Sequence, residues 1–317
     1  MSKEDKLRDE FINRLYSFLL KEGGISISQA SRIKSHVLCI KTINNKKYIL
    51  KKHKNKEILY QQWEFFKATD NGVLIPFHPF PNGRGFLTYK DSYYTISPYV
   101  EGKKLNYKFS EDRKAAVATV KKFHRKARNI YIKRPVNKKP FFIKWYDRLL
   151  AFKQTEALFN KYGFDYLYRD IVKTTGVQLR LLSGFPWDKL ERDAKWNGHW
   201  VHGDVASHNF IKSAQNTFMI DFDLLHCTTQ LYDFIQLGQR FVPHENWEIE
   251  ELRKYNMVDE DEIRIWAYAM AVPSDVLREW LHFLNKKPSG IPDYLKRLDK
   301  EWGNRRYFLK SIEKVLN

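Results

Sequence analysis

The chain has 317 residues, with 56 Lys and Arg against 37 Asp and Glu, which gives a formal net charge of +19. Its hydrophobic fraction of 43% can fill a large core and excludes a disordered chain, and its 14 Gly and 11 Pro exclude a collagen-like one. The two cysteines, Cys39 and Cys227, exclude a disulfide framework and are typical of a reducing compartment.

The first predicted element is an amphipathic helix over residues 4–21. Leu7, Phe11 and Leu15 follow the helical period there, and Gly23-Gly24 is expected to end the helix. The charged N-terminus lacks the apolar core of a signal peptide, and no window reaches the roughly 18–20 apolar residues that span a bilayer. The sequence therefore predicts a cytoplasmic protein with no membrane segment.

Short β-rich runs follow, and then helical periodicity takes over. Residues 37–40 and 47–51 predict a hairpin around Asn44-Asn45, and residues 86–89 and 93–96 predict a second one. Helical spacing is found at 56–69, 110–129, 141–162, 165–182, 246–257, 259–271, 274–286 and 292–316. The fold class is therefore predicted as α+β, with a small β-rich half and a larger helical half joined near Pro98–Gly102.

One stretch of the chain carries recognisable chemistry. Residues 201–210 read VHGDVASHNF, which places Asn209 five residues after Asp204, and Ile220-Asp221-Phe222-Asp223 follows a short apolar run. Phosphoryl transfer needs a carboxylate that orients the attacking hydroxyl, and oxygen ligands that hold the metal on the nucleotide phosphates. Asp204, Asn209 and Asp221 are residues of these types.

These motifs resemble the aminoglycoside phosphotransferase and choline kinase superfamily and, in weaker form, the kinase-like proteins associated with bacterial spore coats. The resemblance implies a two-lobed protein-kinase-like fold. It implies a nucleotide-binding lobe over residues 1–101 that carries an extra N-terminal helix, and a helical catalytic and substrate-binding lobe over residues 102–317. It also implies ATP and Mg²⁺ as cofactors and transfer of the γ-phosphoryl group to a small-molecule hydroxyl.

In the second half, the resemblance assigns roles to individual residues. It implies that Asp204 is the catalytic base, that His202 braces the catalytic loop, and that Asn209 and Asp221 bind the metal. Asp223 is either a second metal neighbour or a solvated turn residue. Asp233 is expected to tie the loop backbone in place, or else to interact with the dipole at the start of its helix.

In the first half, the resemblance implies that Lys51 contacts the phosphates. Its carboxylate partner is expected on residues 56–69, where Glu64 is favoured over Glu57, and the backbone of Tyr99 and Val100 is expected to contact adenine. The phosphate-covering loop is expected at residues 28–36, which contain no glycine, so Ser31, Arg32 and Ser35 would contribute side chains instead.

The sequence leaves alternatives open. The missing glycines favour a weak or inactive kinase-like binding or structural protein, for instance of a spore coat, whereas the intact Asp204, Asn209 and Asp221 favour an enzyme. Residues 103–200 hold 24 basic and 9 acidic residues, and their cluster at 121–139 could dock on an acidic surface, although a solvated face is favoured over nucleic-acid binding. The acidic residues 245–262 could attract a cationic acceptor, or form a self-contained helix pair, which is favoured.

Overall fold

The computed structural model describes residues 14–69, 72–286 and 288–316, and the chain divides into two units. The first unit comprises the residues up to Lys104 together with Ile130–Val136 and Phe210–Asp223, and the second comprises Leu105–Asn129, Asn137–Asn209 and Leu224–Asn317. Most strands lie in the first unit and most helices in the second, which confirms the predicted fold class.

Ten strands within the described residues form three antiparallel sheets. They are β1 Ile27–Lys34, β2 Val37–Thr42, β3 Lys47–His53, β4 Leu87–Tyr89, β5 Ser92–Pro98, β6 Lys103–Lys104, β7 Trp200–Val201, β8 Phe210–Lys212, β9 Thr217–Met219 and β10 His226–Cys227. The main sheet has the order β1-β2-β3-β5-β4. Both predicted hairpins are confirmed, and their turns place Asn45 (φ 62°) and Lys90 (φ 51°) in the left-handed region.

The sequence predicted a single boundary between residues 101 and 102, whereas each unit consists of several separate stretches of the chain. β6 pairs with β8, and β8 pairs with β9, so that residues from two distant parts of the chain share one three-stranded sheet in the first unit. The backbone N–H of Met219 also donates to the carbonyl of Val73 at 2.8 Å. These pairings are long-range, and local sequence patterns carry no signal for them.

Residues 14–23 form helix α1, and the remainder of the predicted helix, residues 4–13, lies outside the described residues. Leu15 and Leu19 are buried against the main sheet, where they join a core of Ile25, Ile40, Leu50, Phe80, Leu87 and Ile96. Burying such a side chain contributes about 1.5–3 kcal/mol. Gly24 has a φ of 67° and its N–H donates to the carbonyl of Leu20 at 3.0 Å, so the helix ends where the sequence predicted.

The other helices were predicted with varying accuracy. They are α2 Lys56–Ala68, α3 Ser110–Lys126, α4 Phe141–Lys153, α5 Glu156–Lys161, α6 Asp165–Ser183, α7 Trp187–Trp196, α8 Leu231–Phe241, α9 Ile249–Arg253, α10 Ile263–Ala271, α11 Ser274–Asn285 and α12 Ile291–Leu316. The helix predicted at 141–162 is divided at Thr155, whose hydroxyl accepts a hydrogen bond from the Trp280 indole at 2.9 Å. Asn246 and Trp247 have positive φ, which shortens the helix predicted at 246–257. No described helix is both long and apolar enough to cross a membrane.

His226 is a buried histidine in the short β7–β10 sheet. It pairs with Val201 and is 4% exposed, and its Nδ1 lies 2.8 Å from the carbonyl oxygen of Leu224. Its Nε2 is buried and has no hydrogen-bond partner among the described residues. Burial lowers the pKa of His226 from 6.5 to about 4, against the smaller raising effect of the Leu224 carbonyl.

Acidification is therefore expected to destabilise the fold through His226. The unfolded state takes up a proton near pH 6.5 and the folded state only near pH 4, so stability is complete above pH 6.5 and is lost as the pH falls towards 4. The loss is on the order of 3 kcal/mol. Urea denaturation between pH 7 and pH 4 should show a smaller loss of unfolding free energy for His226→Gln than for the wild type, and equal losses would contradict the assignment.

Candidate functional site

Lys51 is the centre of a charged cluster in the first unit. β3 pairs Lys51 with Val37 on one side and Thr95 on the other, and its side chain is 12% exposed. Its Nζ donates to Oδ1 of Asp221 at 2.6 Å and lies 2.8 Å from Oδ1 of Asp223. The structure thus brings the predicted phosphate-contacting lysine together with two of the predicted metal-binding carboxylates.

Asp221 follows β9 in a backbone conformation that is rare for a residue with a side chain. Its φ is 67°, in the left-handed region, where Asp is tolerated better than most residues. Lys34 Nζ lies 3.8 Å from its second carboxylate oxygen. Such conformations persist only where their surroundings enforce them, and they concentrate at functional sites.

The predicted pair of Lys51 and Glu64 is replaced by a different contact. Glu64 is exposed, and in the described structure it accepts a hydrogen bond from Lys67 at 2.9 Å rather than from Lys51. Gln62, which is 1% exposed on the buried face of α2, donates to the carbonyl of Phe222 at 3.1 Å and to Asp223 Oδ1 at 3.2 Å. Glu64 points away because it lies on the solvent face of an amphipathic helix, where Glu57 is also exposed.

The segment predicted as the phosphate-covering loop is mostly strand. β1 extends to Lys34, and the connection to β2 is the two-residue turn Ser35-His36. Ser31 and Arg32 are exposed β1 residues that pair with Cys39 and Leu38. Backbone pairing with β2 explains the difference, because it satisfies the polar groups that a loop would have offered to a phosphate.

Tyr99 and Val100 follow β5 directly. The N–H of Tyr99 donates to the carbonyl of Lys47 at 3.2 Å, and the Lys47 ammonium lies 5.3 Å from the centre of the Tyr99 ring. Tyr99 is 38% exposed and Val100 is half-buried. Their predicted contact with adenine stays a prediction.

In the second unit, Asp233 of α8 holds the loop that carries Asp204. Its carboxylate accepts hydrogen bonds from the N–H of His202 at 2.9 Å and of Gly203 at 3.0 Å, and its Oδ2 lies 2.9 Å from Nε2 of His124. Asp233 is fully buried, which on its own raises its pKa, but the hydrogen bond and charge of His124, with His202 and the Gly203 N–H, bring the pKa below its usual range. These hydrogen bonds tie the loop backbone at His202 and Gly203 to α8.

Gly203 is required by the shape of this loop. Its φ is 81°, and an added Cβ would lie 2.5 Å from the carbonyl oxygen of Leu224, closer than any side chain can approach. His202 beside it is fully buried, and the N–H of Asp204 donates to its Nδ1 at 3.3 Å. Both residues shape the turn that presents Asp204.

Asp204 is held by two partners in the second unit. Arg240 Nη2 donates to its Oδ1 at 2.9 Å, and Asn209 Nδ2 donates to its Oδ2 at 3.1 Å and to its backbone carbonyl at 3.0 Å. The side chain of Asp204 is 32% exposed. The carboxylate is thus oriented by charge and hydrogen bonding, and it is still accessible to a ligand.

The predicted metal-binding residues suit Mg²⁺ by donor type. Asn209 uses its amide nitrogen toward Asp204, which leaves its amide oxygen as the available hard ligand. Asp221 and Asp223 supply carboxylate oxygens, which neutralise the Lys51 ammonium in the first unit. Among the described residues there is no cluster of three or more His, Cys, Asp or Glu side chains that could hold a metal ion.

Three contributors to these clusters were missed by sequence reasoning. Gln62 was overlooked because a carboxylate was sought, although it lies on the buried stripe of α2 between Leu59 and Phe66. Arg240 lies seven residues after Asp233, on the same face of α8, and that spacing was a usable signal. Tyr107 donates its hydroxyl to the carbonyl of Val205 at 2.8 Å, and no sequence pattern indicates this contact.

A cavity of about 400 Å³ lies within the second unit, beside the loop that carries Asp204. Its lining includes Tyr107, Trp145, Ser207 and His208, together with Arg240, which contacts Asp204. A volume of this order is sufficient for a small organic ligand. Arg240 therefore connects the cavity with the Asp204 carboxylate, which is not itself part of the lining.

The acidic stretch at 245–262 holds eight acidic residues against Arg253 and Lys254, and ion pairs cover part of that charge. Arg113 pairs with Glu245 at 2.5 Å, and Lys254 pairs with Glu251 at 2.5 Å. Arg253 pairs with Glu250 at 3.2 Å. The interpretation of the stretch as a self-contained helix pair stays a prediction.

Comparisons with known proteins identify the fold. A search of protein-family models finds no match, and neither does a search of curated proteins. Among solved structures, an aminoglycoside phosphotransferase from Alicyclobacillus acidocaldarius is 17% identical, with a TM-score of 0.71 over 91% of this chain and 92% of that one. An amicoumacin kinase bound to AMP-PNP and Ca²⁺ is 13% identical, with a TM-score of 0.63 over 97% of this chain and 96% of that one.

A spectinomycin phosphotransferase bound to ADP and spectinomycin is 14% identical, with a TM-score of 0.61 over 94% of this chain and 93% of that one. These likenesses extend over nearly the full length of each chain, and they confirm the resemblance at the level of the fold. The chain has a two-lobed, protein-kinase-like fold.

Proposed function

We propose that this protein transfers the γ-phosphoryl group of ATP to a hydroxyl group of a small molecule. The observation that carries the proposal is the arrangement of Asp204, whose carboxylate is fixed by Arg240 and Asn209 on a loop anchored by Asp233. A fixed, accessible carboxylate is what the reaction requires for orienting the acceptor hydroxyl and taking up its proton. Structures of this fold that contain ADP or AMP-PNP support the choice of a nucleotide as donor.

In this proposal, the remaining residues bind the donor. Asn209 and Asp221, with Asp223 as a neighbour, would hold Mg²⁺ through oxygen atoms, and Lys51 would contact the nucleotide phosphates. Bound Mg²⁺ would supply positive charge that neutralises the phosphates during transfer. The contacts of Asp221 and Asp223 with Lys51 fix the position of its side chain before the nucleotide arrives.

The second candidate is a kinase-like binding or structural protein with little or no activity, such as one of a spore coat. Two observations favour it: the connection between β1 and β2 is a short turn without glycine, and Gln62 stands where a carboxylate partner for Lys51 was expected. Both features would weaken the grip on phosphates. Nucleotide binding and turnover therefore separate the two candidates.

The test is a thermal-shift titration with Mg-ATP, together with a measurement of ADP formation. The wild type should be stabilised by Mg-ATP and should form ADP, and Lys51→Met should bind Mg-ATP about 10–100-fold more weakly, because it loses a charge-assisted contact. Lys52→Met is the matched control, since Lys52 is the exposed neighbour on the same strand and should bind as the wild type does. A wild type that neither binds nor hydrolyses ATP would leave the second candidate in place.

A further inference from the structure

The cavity beside Arg240 carries an excess of positive charge. Four cationic side chains line it, namely Lys108, Arg148, Arg240 and Arg278, against the two carboxylates of Asp275 and Glu279. We propose that the phosphoryl acceptor carries a carboxylate or phosphate group and that Arg148 binds this group in the cavity. This inference rests on the proposed function, because it assigns the acceptor to the cavity beside Asp204.

Each acidic group at the cavity already has a cationic partner. Arg305 Nη2 donates to Asp275 at 2.5 Å, and Arg305 is itself outside the cavity lining. Arg278 donates to Glu279 at 2.8 Å. Another lining arginine, Arg240, is paired with Asp204, so each of these carboxylates has one arginine partner, although Oδ1 of Asp275 makes no hydrogen bond among the described residues.

Arg148 is left without a carboxylate partner within the described residues. It lies on α4 and is half-buried, and the hydrogen bond that it makes there is from Nη1 to the Ser274 hydroxyl at 2.5 Å. Burial and the nearby Arg278 lower its pKa, with Asp275 and Glu279 opposing the shift. Because the Arg148 guanidinium is half-buried and lacks a carboxylate partner, binding of an anionic ligand would stabilise its charge. The planar guanidinium can bind such a ligand with two parallel hydrogen bonds.

Two further polar atoms at the cavity are buried and lack partners. They are Nε2 of Gln236 and Oδ1 of Asp275. An amide donor and a carboxylate acceptor of this kind match the hydroxyl groups of a sugar or polyol, which both donate and accept. Phe141 and Trp145 supply an apolar surface beside them.

The charge balance disfavours an amine-bearing acceptor at this place. A cation would meet Arg148 and Lys108, neither of which forms an ion pair with a carboxylate within the described residues. Like charges repel, and the repulsion grows when water leaves the cavity.

The experiment uses four sugars of the same ring that differ in charge: glucuronate, glucose 6-phosphate, glucose and glucosamine. Their binding to the wild-type protein is measured by calorimetry without nucleotide, so that the result does not depend on ATP. At least one of the two anionic sugars should bind more tightly than glucose and glucosamine, and which one binds distinguishes a carboxylate from a phosphate. Arg148→Met should weaken that binding about 10–100-fold.

Two variants act as controls. Arg148→Lys retains the charge and should lose only part of the affinity, which separates loss of the anion contact from loss of the fold. Arg180→Met removes an exposed charge on α6 outside the cavity and should bind as the wild type does. Three results would overturn the proposal. The wild type and Arg148→Met could bind the anionic sugars with equal affinity, glucosamine could bind more tightly than the anionic sugars, or neither anionic sugar could bind. Failure of ATP binding in the separate titration would overturn the proposed function alone.

Discussion

Replacing Asp204 with Asn is expected to lower phosphoryl transfer about 10²–10⁴-fold and to leave the fold intact. An amide oxygen can still accept the hydrogen bond from Arg240, whereas the amide nitrogen cannot accept the one from Asn209, and an amide cannot take up the proton of the attacking hydroxyl. The measurement is the rate of ADP formation from Mg-ATP, with acceptor where one has been found and with water otherwise.

Asp188→Asn is the matched control for this variant. Asp188 is exposed in the first turn of α7, in the same unit, and has no assigned role. Thermal-shift titration should give the same affinity for Mg-ATP in both variants as in the wild type. An Asp204→Asn protein that forms ADP at the wild-type rate would remove Asp204 from the mechanism.

Asp233→Ala is expected to cost about 3–5 kcal/mol in the free energy of unfolding. The substitution leaves the N–H groups of His202 and Gly203 and the ring of His124 buried without their acceptor. Each of these groups then stays buried without a hydrogen bond, and water cannot replace the lost acceptor because Asp233 is fully buried.

Urea denaturation of Asp233→Ala and Asp233→Asn measures this effect. The Asn variant should lose less, since its amide oxygen replaces one of the two acceptor atoms. Asp188→Ala, which removes an exposed carboxylate, should change the unfolding free energy by less than about 1 kcal/mol. If Asp233→Ala lost no more unfolding free energy than Asp188→Ala, the contacts of Asp233 would contribute little to stability.

Local signals in the sequence were sufficient for much of the site. The two turns that hold Asn45 and Lys90 were predicted from turn-forming residues between β-rich runs, and the loop with Asp204 and Asn209 was predicted from its spacing. These features depend on residues that are close together in the chain, so local backbone preferences are enough to predict them.

The errors concern contacts between distant residues. Strand β1 has exposed residues on both faces, so its alternation is weak, and only its pairing with β2 makes it a strand. Lys51 contacts Asp221 and Asp223, which are distant in the chain, rather than a carboxylate of α2. The α2 residue that contacts Asp223 is Gln62, on the buried stripe with Leu59 and Phe66. The predicted docking on an acidic surface or spore coat stays a prediction.

The pairing of β6 with β8 limits how the gene for this protein can recombine with other genes. The chain passes from one unit to the other at residues 104/105, 129/130, 136/137, 209/210 and 223/224. A fragment that ends at residue 101 would lack β8 and β9 and, with them, Asp221. Because both units consist of several separate stretches of the chain, a single genetic crossover could not move either of them complete into another protein.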